Sequence, residues 1–122
     1  MCIRDRCWVC LVVEVENWMH KIRELAVLIE KTEYNVLKSE AEVKKLQAIL
    51  KVKALGEGIK TSSAQDTYAE SKEELFEARL KIARFKSGLS ALKVQLKALE
   101  VGFEQWRTEQ VSARKEQARY GA

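Results

Sequence analysis

The cysteines and the single histidine are the residues whose types could perform redox chemistry or bind a metal. Cys7 and Cys10 form a C-x-x-C pair, a spacing found in redox-active dithiols and in half of a tetrahedral zinc site. A thioredoxin-like site requires a βαβ context that the surrounding sequence lacks, and a zinc site requires four ligands, of which His20 would be only the third. We therefore predict that these residues form no metal site and that the chain binds no cofactor.

The sequence also lacks the motifs of nucleotide-binding and nucleophilic enzymes. It contains neither G-x-x-x-x-G-K-[ST] nor G-x-G-x-x-G, the glycine-rich segments that cradle phosphates. With one histidine in the chain, a nucleophile–histidine pair could be built only around His20. These absences predict a protein that is not an enzyme, with no catalytic residues and no small-molecule substrate.

Basic residues near aromatic ones are the remaining feature that could do chemistry, by binding nucleic acid. Lys and Arg contact phosphates, and aromatic rings stack on bases. The net charge of +4 is small for a dedicated nucleic-acid-binding protein, so direct binding is an alternative and not the main prediction. The candidate contacts lie on the second half of the chain and its C-terminal tail: Arg79, Lys86, Lys93, Arg107, Arg114, Lys115 and Arg119.

The composition predicts that helices position all these residues. A length of 122 residues suggests one domain. Proline is absent, Gly numbers 5, and charged residues make up 33% of the chain, a balance typical of long helices and not of sheets with many turns. No segment reaches the roughly 18–20 apolar residues that a membrane span needs. We predict an all-α protein that does not interact with a membrane.

An apolar 4-3 spacing runs through two long segments and predicts two helices of coiled-coil type. We expect the first helix over 14–55, a loop over 56–63 and the second helix over 64–118. Thr61, Ser62 and Ser63 are all possible N-caps of the second helix, and Ser62 with Gln65 fits a capping box. The apolar residues of this spacing, called the seam below, are Trp18, Ile22, Leu25, Ile29, Val36, Val43, Leu46 and Leu50 on the first helix, and Leu75, Ile82, Phe85, Leu89, Leu92, Leu96, Leu99, Phe103 and Trp106 on the second.

The short loop predicts that the two helices are antiparallel neighbours, in a coiled-coil hairpin that forms one domain over 14–122. Folding the chain about the loop places Trp18 opposite Phe103. Charged residues beside the seam then predict two ion pairs, because flanking charges set the pairing of coiled coils. The expected pairs are Glu40 with Arg79 and Glu33 with Lys86.

Each predicted helix carries a second, weaker apolar stripe away from the seam. A single hairpin would leave these stripes in water, as an apolar surface that needs a partner. We therefore expect a homo-oligomeric bundle or a complex with another protein. The stripes contain Val27, Tyr34, Ala41, Ala48 and Leu55 on the first helix, and Phe76, Leu80, Ala83, Ser87, Ala91, Val94, Ala98 and Val101 on the second.

Residues 1–13 are expected to lie outside the helical domain, as an artefactual or disordered segment. Residues 1–6 match the translation of a sequencing-library adapter end, and we interpret them as foreign to the natural protein. This interpretation leaves open where the natural N-terminus lies. It also leaves open whether Cys7 and Cys10 belong to the natural protein.

The loop and the end of the second helix resemble a group of small uncharacterised proteins of tailed bacteriophages. The resemblance covers roughly residues 18–122 and rests on Gly58-Ile59-Lys60-Thr61 before a helix and on Leu99-Glu100-Val101-Gly102-Phe103-Glu104-Gln105-Trp106-Arg107 near the end. Gly102-Phe103-Glu104-Gln105 departs from the shorter I-E-V-W form of those proteins. Their genes often neighbour phage recombination and single-strand-binding genes. The resemblance implies an accessory role in phage DNA metabolism, in the cytoplasm of an infected bacterial host, and implies no catalytic residues.

These observations predict a non-enzymatic coiled-coil protein that acts in assembly or as an adaptor. The first alternative is direct binding of single- or double-stranded nucleic acid by the basic residues of the second helix and the tail. The second alternative is a structural component of the virion or its scaffold.

Overall fold

The computed structural model describes residues 8–119, and within that range the chain is all-helical. Helix α1 spans Trp8–Gly56, α2 spans Ser62–Glu70 and α3 spans Glu73–Arg119. The prediction of an all-α chain is confirmed, and the two long helices, α1 and α3, pack on each other. No strand occurs between residues 8 and 119.

Helix α1 begins earlier than the expected residue 14. Residues 8–13 are helical, and Leu11 is buried, because the apolar run that was expected to be disordered continues the helical pattern. Helix α1 ends at Gly56, and glycine in the following turn adopts a backbone conformation that other residues rarely adopt. Gly58 has φ 88°, in the left-handed region, and the Ile59 N–H donates to the Ala54 carbonyl at 3.0 Å, which satisfies one of the last carbonyls of α1.

Helix α2 is capped by Thr61, one of the three N-cap candidates in the sequence, and not by the Ser62–Gln65 box. The Thr61 hydroxyl accepts a hydrogen bond from the Ala64 N–H at 3.3 Å, which is the usual role of an N-cap side chain. The Gln65 side-chain amide instead donates to the Ile59 carbonyl at 3.0 Å. Gln65 therefore ties the start of α2 to the preceding turn.

A break at Ser71 and Lys72 divides the predicted second helix into α2 and α3. The Ser71 hydroxyl donates to the Tyr68 carbonyl at 2.6 Å, and the Lys72 N–H donates to the Ala69 carbonyl three residues back. Serine competes with the helical hydrogen bonds in this way, and the tighter three-residue bond ends the helix. The expected continuous helix over 64–118 is therefore interrupted after Glu70.

An ion pair across this break shows that the helix axis changes direction there. Glu70 accepts two hydrogen bonds from the Arg79 guanidinium, one of them 2.7 Å long between Oε1 and Nη2. In a straight helix, residues nine positions apart lie on opposite sides and about 13.5 Å apart along the axis, so they could not pair in this way. The Glu70–Arg79 pair therefore depends on the bend between α2 and α3.

The chain divides into two compact units. One, called the turn unit here, is Glu30–Ser90; the other, called the terminal unit, comprises residues 8–29 and 91–119 of the described chain. In the turn unit the buried core brings all three helices together. It consists of Val43, Leu50, Ala69 and Leu75, with Leu46, Ala78 and Ile82 packed against it.

Ion pairs border the core of the turn unit, with partners that differ from the predicted ones. Glu40 pairs with Lys86 at 3.2 Å, where the sequence had predicted Arg79 for Glu40 and Glu33 for Lys86. Arg79 pairs with Glu70 instead. Two further contacts join the elements of this unit: Lys81 with Glu42 at 3.9 Å and Lys51 with Asp66 at 2.8 Å.

In the terminal unit, aromatic rings join α1 to α3. The centroids of the Trp18 and Phe103 rings lie 6.0 Å apart, which confirms the predicted proximity of these residues. The ring of Trp106 stacks on Phe103 with centroids 6.1 Å apart and planes 15° apart. Gly102 approaches Trp18 so closely that a Cβ atom at this glycine would lie 3.1 Å from the ring.

Candidate interaction surfaces

All the seam residues are buried or half-buried in the structure. Val36, Val43, Leu50 and Leu75 are buried. The other seam residues are half-buried, because a single neighbouring helix covers only one side of each side chain. This group consists of Trp18, Ile22, Leu25, Ile29, Leu46, Ile82, Phe85, Leu89, Leu92, Leu96, Leu99, Phe103 and Trp106.

In the turn unit, the sides of α1 and α3 that point away from the seam expose apolar side chains. On α1, Tyr34 is 64% exposed, Leu37 66% and Val52 69%. On α3, Phe76 is 59% exposed and Leu80 39%. The α1 outer face is defined here as Tyr34, Leu37, Ala41, Ala48, Val52 and Leu55, and the α3 outer face as Phe76, Leu80, Ala83 and Ser87, all of them exposed.

Charges without an ion-pair partner border the two outer faces, and they are basic on α1 and mostly acidic on α3. Lys38 and Lys45 lie beside the α1 outer face, and Glu73, Glu77 and Arg84 lie beside the α3 outer face. None of these five side chains has an ion-pair partner among residues 8–119. A shallow groove follows the α3 outer face, and its lining includes both glutamates, Phe76 and Leu80.

Three cations on the other flanks of the outer faces are paired within the chain. Lys51 pairs with Asp66, Lys86 with Glu40, and Arg79 with Glu70. The hydrogen bonds from Arg79 hold the pKa of the Glu70 carboxyl below its ordinary value and raise the pKa of Arg79. Lys44, one heptad from Leu37, is exposed and has no ion-pair partner among residues 8–119, so the α1 outer face is basic on this side as well.

The candidate nucleic-acid contacts are mostly engaged with other residues. Arg79 and Lys86 pair with glutamates, and Arg107 pairs with Glu104 at 3.1 Å. Lys93 and Arg119 also have interactions of their own. Arg114 and Lys115 are exposed on the last turns of α3. A phosphate would have to compete with carboxylates at several of these positions.

The cysteine and histidine residues do not come together in the described chain. Cys7 lies outside the described residues, so the C-x-x-C pair is not described as a whole, and Cys10 is half-buried. His20 Nε2 lies 2.9 Å from Glu24 Oε1, one helical turn away, and both side chains are exposed. No group of three or more potential metal-ligating His, Cys, Asp or Glu side chains occurs among residues 8–119.

Sequence reasoning missed two members of the α1 outer face. Leu37 and Val52 were absent from the predicted second stripe, although both are more than 60% exposed. The signal was present in the spacing, since Tyr34, Leu37 and Ala41 repeat the 3-4 interval of a helix face.

No protein-family model, curated protein or solved structure matches this chain. In the described range, no helix combines the length and the apolar character required to cross a membrane.

Proposed function

We propose that this chain is a non-enzymatic coiled-coil protein that acts in assembly or as an adaptor, and that it works by self-association. The observation that carries the proposal is the pair of exposed apolar outer faces on α1 and α3. Apolar side chains that line up along a helix face in a small protein usually mark a contact with another protein.

Within this proposal, α1 and α3 run antiparallel and form a helical hairpin. The order of the ion pairs in the turn unit supports it. Lys51 of α1 meets Asp66 of α2, while Glu42 and Glu40, further back along α1, meet Lys81 and Lys86 of α3. Residue numbers on α1 thus fall as the numbers of their partners rise, which supports an antiparallel arrangement of α1 and α3.

The energetic reason for association is that the outer faces gain by leaving water. Complete burial of a Leu or Phe side chain contributes roughly 1.5–3 kcal/mol. Tyr34, Leu37 and Val52 on α1, with Phe76 and Leu80 on α3, offer several such contributions per chain. Part of this gain is offset by the entropy lost when two molecules associate, so several residues have to act together.

The resemblance to small phage proteins gives this proposal its biological setting. It implies an accessory protein linked to phage DNA metabolism in the host cytoplasm. A virion or scaffold component would use the same helical faces. Detection of the protein in purified virus particles by mass spectrometry would favour the virion role, and its absence there would favour the accessory role.

Sedimentation equilibrium of the purified chain tests the self-association. We expect a mass above the 14.0 kDa of the monomer that rises with protein concentration. A Phe76→Ala/Leu80→Ala variant should associate more weakly, because it loses exposed apolar surface and nothing from the core. A constant monomeric mass at every attainable concentration would overturn the proposal of self-association.

A further inference from the structure

Resting on the proposed self-association, we infer its geometry: the α1 outer face of one copy binds the α3 outer face of a second copy. The second α3 lies antiparallel to the first α1, in a register close to the one in which Glu40 meets Lys86 and Glu42 meets Lys81 within the chain. Side-chain size and charge, which are independent features, both support this pairing.

Side-chain size is complementary in this register. Carrying it to the outer faces places Phe76 opposite Ala48 and Leu80 between Ala41 and Lys44. In the other direction, Leu37 lies opposite Ser87. Phe76 and Leu37 thus face small residues, and Leu80 packs beside a small residue and the aliphatic part of a lysine, which allows the helices to interdigitate.

Charge is complementary in the same register. Lys45 falls opposite Glu77, whereas Lys38 falls opposite Arg84, so the attraction rests on the net charge of the two faces. The α1 outer face is basic, through Lys38, Lys44 and Lys45. The groove along the α3 outer face is mainly acidic, because Glu73, Glu74 and Glu77 line it with Arg84. Antiparallel helices bring matching flanks together, as Glu40 with Lys86 on one side of the seam and Glu42 with Lys81 on the other already show. Lys51 and Arg79, which pair with Asp66 and Glu70, lie on the opposite flanks.

Pairing of like faces fits the charges and the exposed surface less well. Two α1 outer faces would bring the lysines of one copy, among them Lys38, Lys44 and Lys45, against the same lysines of the other. Pairing of two α3 outer faces would leave the α1 outer face uncovered, with Tyr34, Leu37 and Val52 still in water. The unlike pairing covers both faces of every inner copy.

The proposed contact joins two different surfaces, so a pair of copies still has one α1 outer face and one α3 outer face uncovered. Helical periodicity places each outer face on the side of its helix opposite the seam, so each copy offers one α1 face and one α3 face on opposite sides. A contact between unlike surfaces adds copies in a row unless the rotation closes a ring. Wild-type protein should therefore form a series of oligomers and not a dimer alone.

Two variants that each lack one face test the inference by complementation. Tyr34→Ala/Leu37→Ala removes apolar surface from the α1 face, and Phe76→Ala/Leu80→Ala removes it from the α3 face. Each should sediment as a monomer with unchanged helicity by circular dichroism. An equimolar mixture should form a species of twice 14.0 kDa and stop there, since each variant retains the face that the other lacks.

A matched control and a charge exchange complete the test. Leu28→Ala/Val111→Ala removes two exposed apolar side chains outside both faces and should associate like wild type. Lys45→Glu and Glu77→Lys should each weaken association of wild-type chains, by roughly tenfold in dissociation constant. A mixture of the two should associate like wild type, because the reversed charges face each other in one contact between the variants and the wild-type charges face each other in the next. These charge variants keep the apolar faces intact and so provide a readout independent of the alanine variants.

The outcomes separate this inference from the proposed function. If wild type associates but the two alanine variants fail to complement each other, or if only one of them loses association, the unlike pairing is wrong and self-association stands. If wild type is monomeric at all concentrations, both the unlike pairing and the proposed self-association are wrong. A discrete heterodimer from two monomeric variants is the result expected here.

Discussion

At the scale of single residues, Gly88 and Gly102 occupy comparable interior positions of α3 but have different surroundings. A Cβ atom at Gly88 would meet nothing within 4 Å, whereas one at Gly102 would lie 3.1 and 3.3 Å from two carbons of the Trp18 ring. Alanine in a helix interior is favoured over glycine by roughly 0.5–1 kcal/mol. The increase in the free energy of unfolding should therefore appear at Gly88. At Gly102 it should be offset by crowding of the new methyl group against the Trp18 indole.

We therefore expect Gly88→Ala to raise the free energy of unfolding by roughly 0.5–1 kcal/mol. Gly102→Ala should leave it unchanged or lower it, since overpacking costs roughly 1–3 kcal/mol. Urea unfolding of both variants and wild type at one protein concentration measures the difference. Equal stabilisation by the two substitutions would show that the Trp18 ring moves aside at little cost.

The Glu70–Arg79 pair gives a pH-dependent contribution to stability. Because the pKa of Glu70 is lowered in the folded chain, the pair stabilises the fold above the ordinary glutamate pKa. That contribution is lost as the pH falls through the lowered value. Glu70→Gln should therefore have a lower Tm than wild type near neutral pH, and the difference should vanish in acid.

Thermal unfolding of both proteins across the acidic range, followed by circular dichroism, checks the pH prediction. Glu116→Gln serves as the control, because this carboxylate lies exposed near the end of α3, far from Arg79 in sequence. A Tm difference between Glu70→Gln and wild type that persists at low pH would mean that the charge of Glu70 is not its cause.

The ion-pair partners show what the sequence could and could not predict at this scale. Lys86 could meet either Glu33 or Glu40, because the two glutamates are one heptad apart on the same flank. The structure selects Glu40, a choice that depends on the axial position of the helices and not on periodicity. Arg79 was predicted to pair across the seam, but the bend at Ser71 brings Glu70 within reach first.

At the scale of elements, Leu75 links α3 to the other two helices. It is 1% exposed and belongs to a cluster with Leu50 of α1 and Ala69 of α2. Leu75→Ala should lower the free energy of unfolding by roughly 2–5 kcal/mol, through lost burial and the cavity left behind. Leu80→Ala, on the exposed face of the same helix, should change it by less than about 0.5 kcal/mol in the monomeric state.

Chemical denaturation at low protein concentration compares the two leucine variants, so that association does not contribute to stability. A small effect of Leu75→Ala would mean that the three helices do not share one core in solution. It would also weaken the case for α2 as a fixed part of the turn unit.

The elements themselves follow from the sequence to different degrees. The absence of proline and the 4-3 apolar spacing predict long helices because both are local properties of the chain. The break after Glu70 follows from one hydroxyl competing with the backbone, and the apolar spacing passes through Ser71 without a change in period. The only signal of the break in the sequence is that Ser71 is polar, whereas Tyr68 before it and Leu75 after it in the same 4-3 spacing are apolar.

At the scale of the whole molecule, the net charge of +4 predicts weak, salt-sensitive binding to nucleic acid. We expect labelled single- and double-stranded oligonucleotides to bind no more tightly than about 10⁻⁶–10⁻⁴ M at physiological salt. Arg114→Ala/Lys115→Ala should reduce the residual binding, because these side chains are exposed at the end of α3. Fluorescence anisotropy at several salt concentrations measures both effects.

Tight binding that survives physiological salt and is lost in the Arg114→Ala/Lys115→Ala variant would make direct nucleic-acid binding the leading function. The Leu28→Ala/Val111→Ala variant is the control, since it keeps every basic residue. Binding that stays weak and independent of sequence would leave protein assembly as the main role.

The aromatic cluster of Trp18, Phe103 and Trp106 also makes the cooperativity of the fold measurable. The three tryptophans of the sequence are Trp8, Trp18 and Trp106, and the turn unit, Glu30–Ser90, contains none. Tryptophan emission, excited selectively because Tyr34 and Tyr68 lie in the turn unit, therefore reports on the terminal unit, while far-ultraviolet ellipticity reports on the helices of both units. Coincident melting curves from the two signals would show that long shared helices make two units unfold as one, and separated curves would show that each melts by itself.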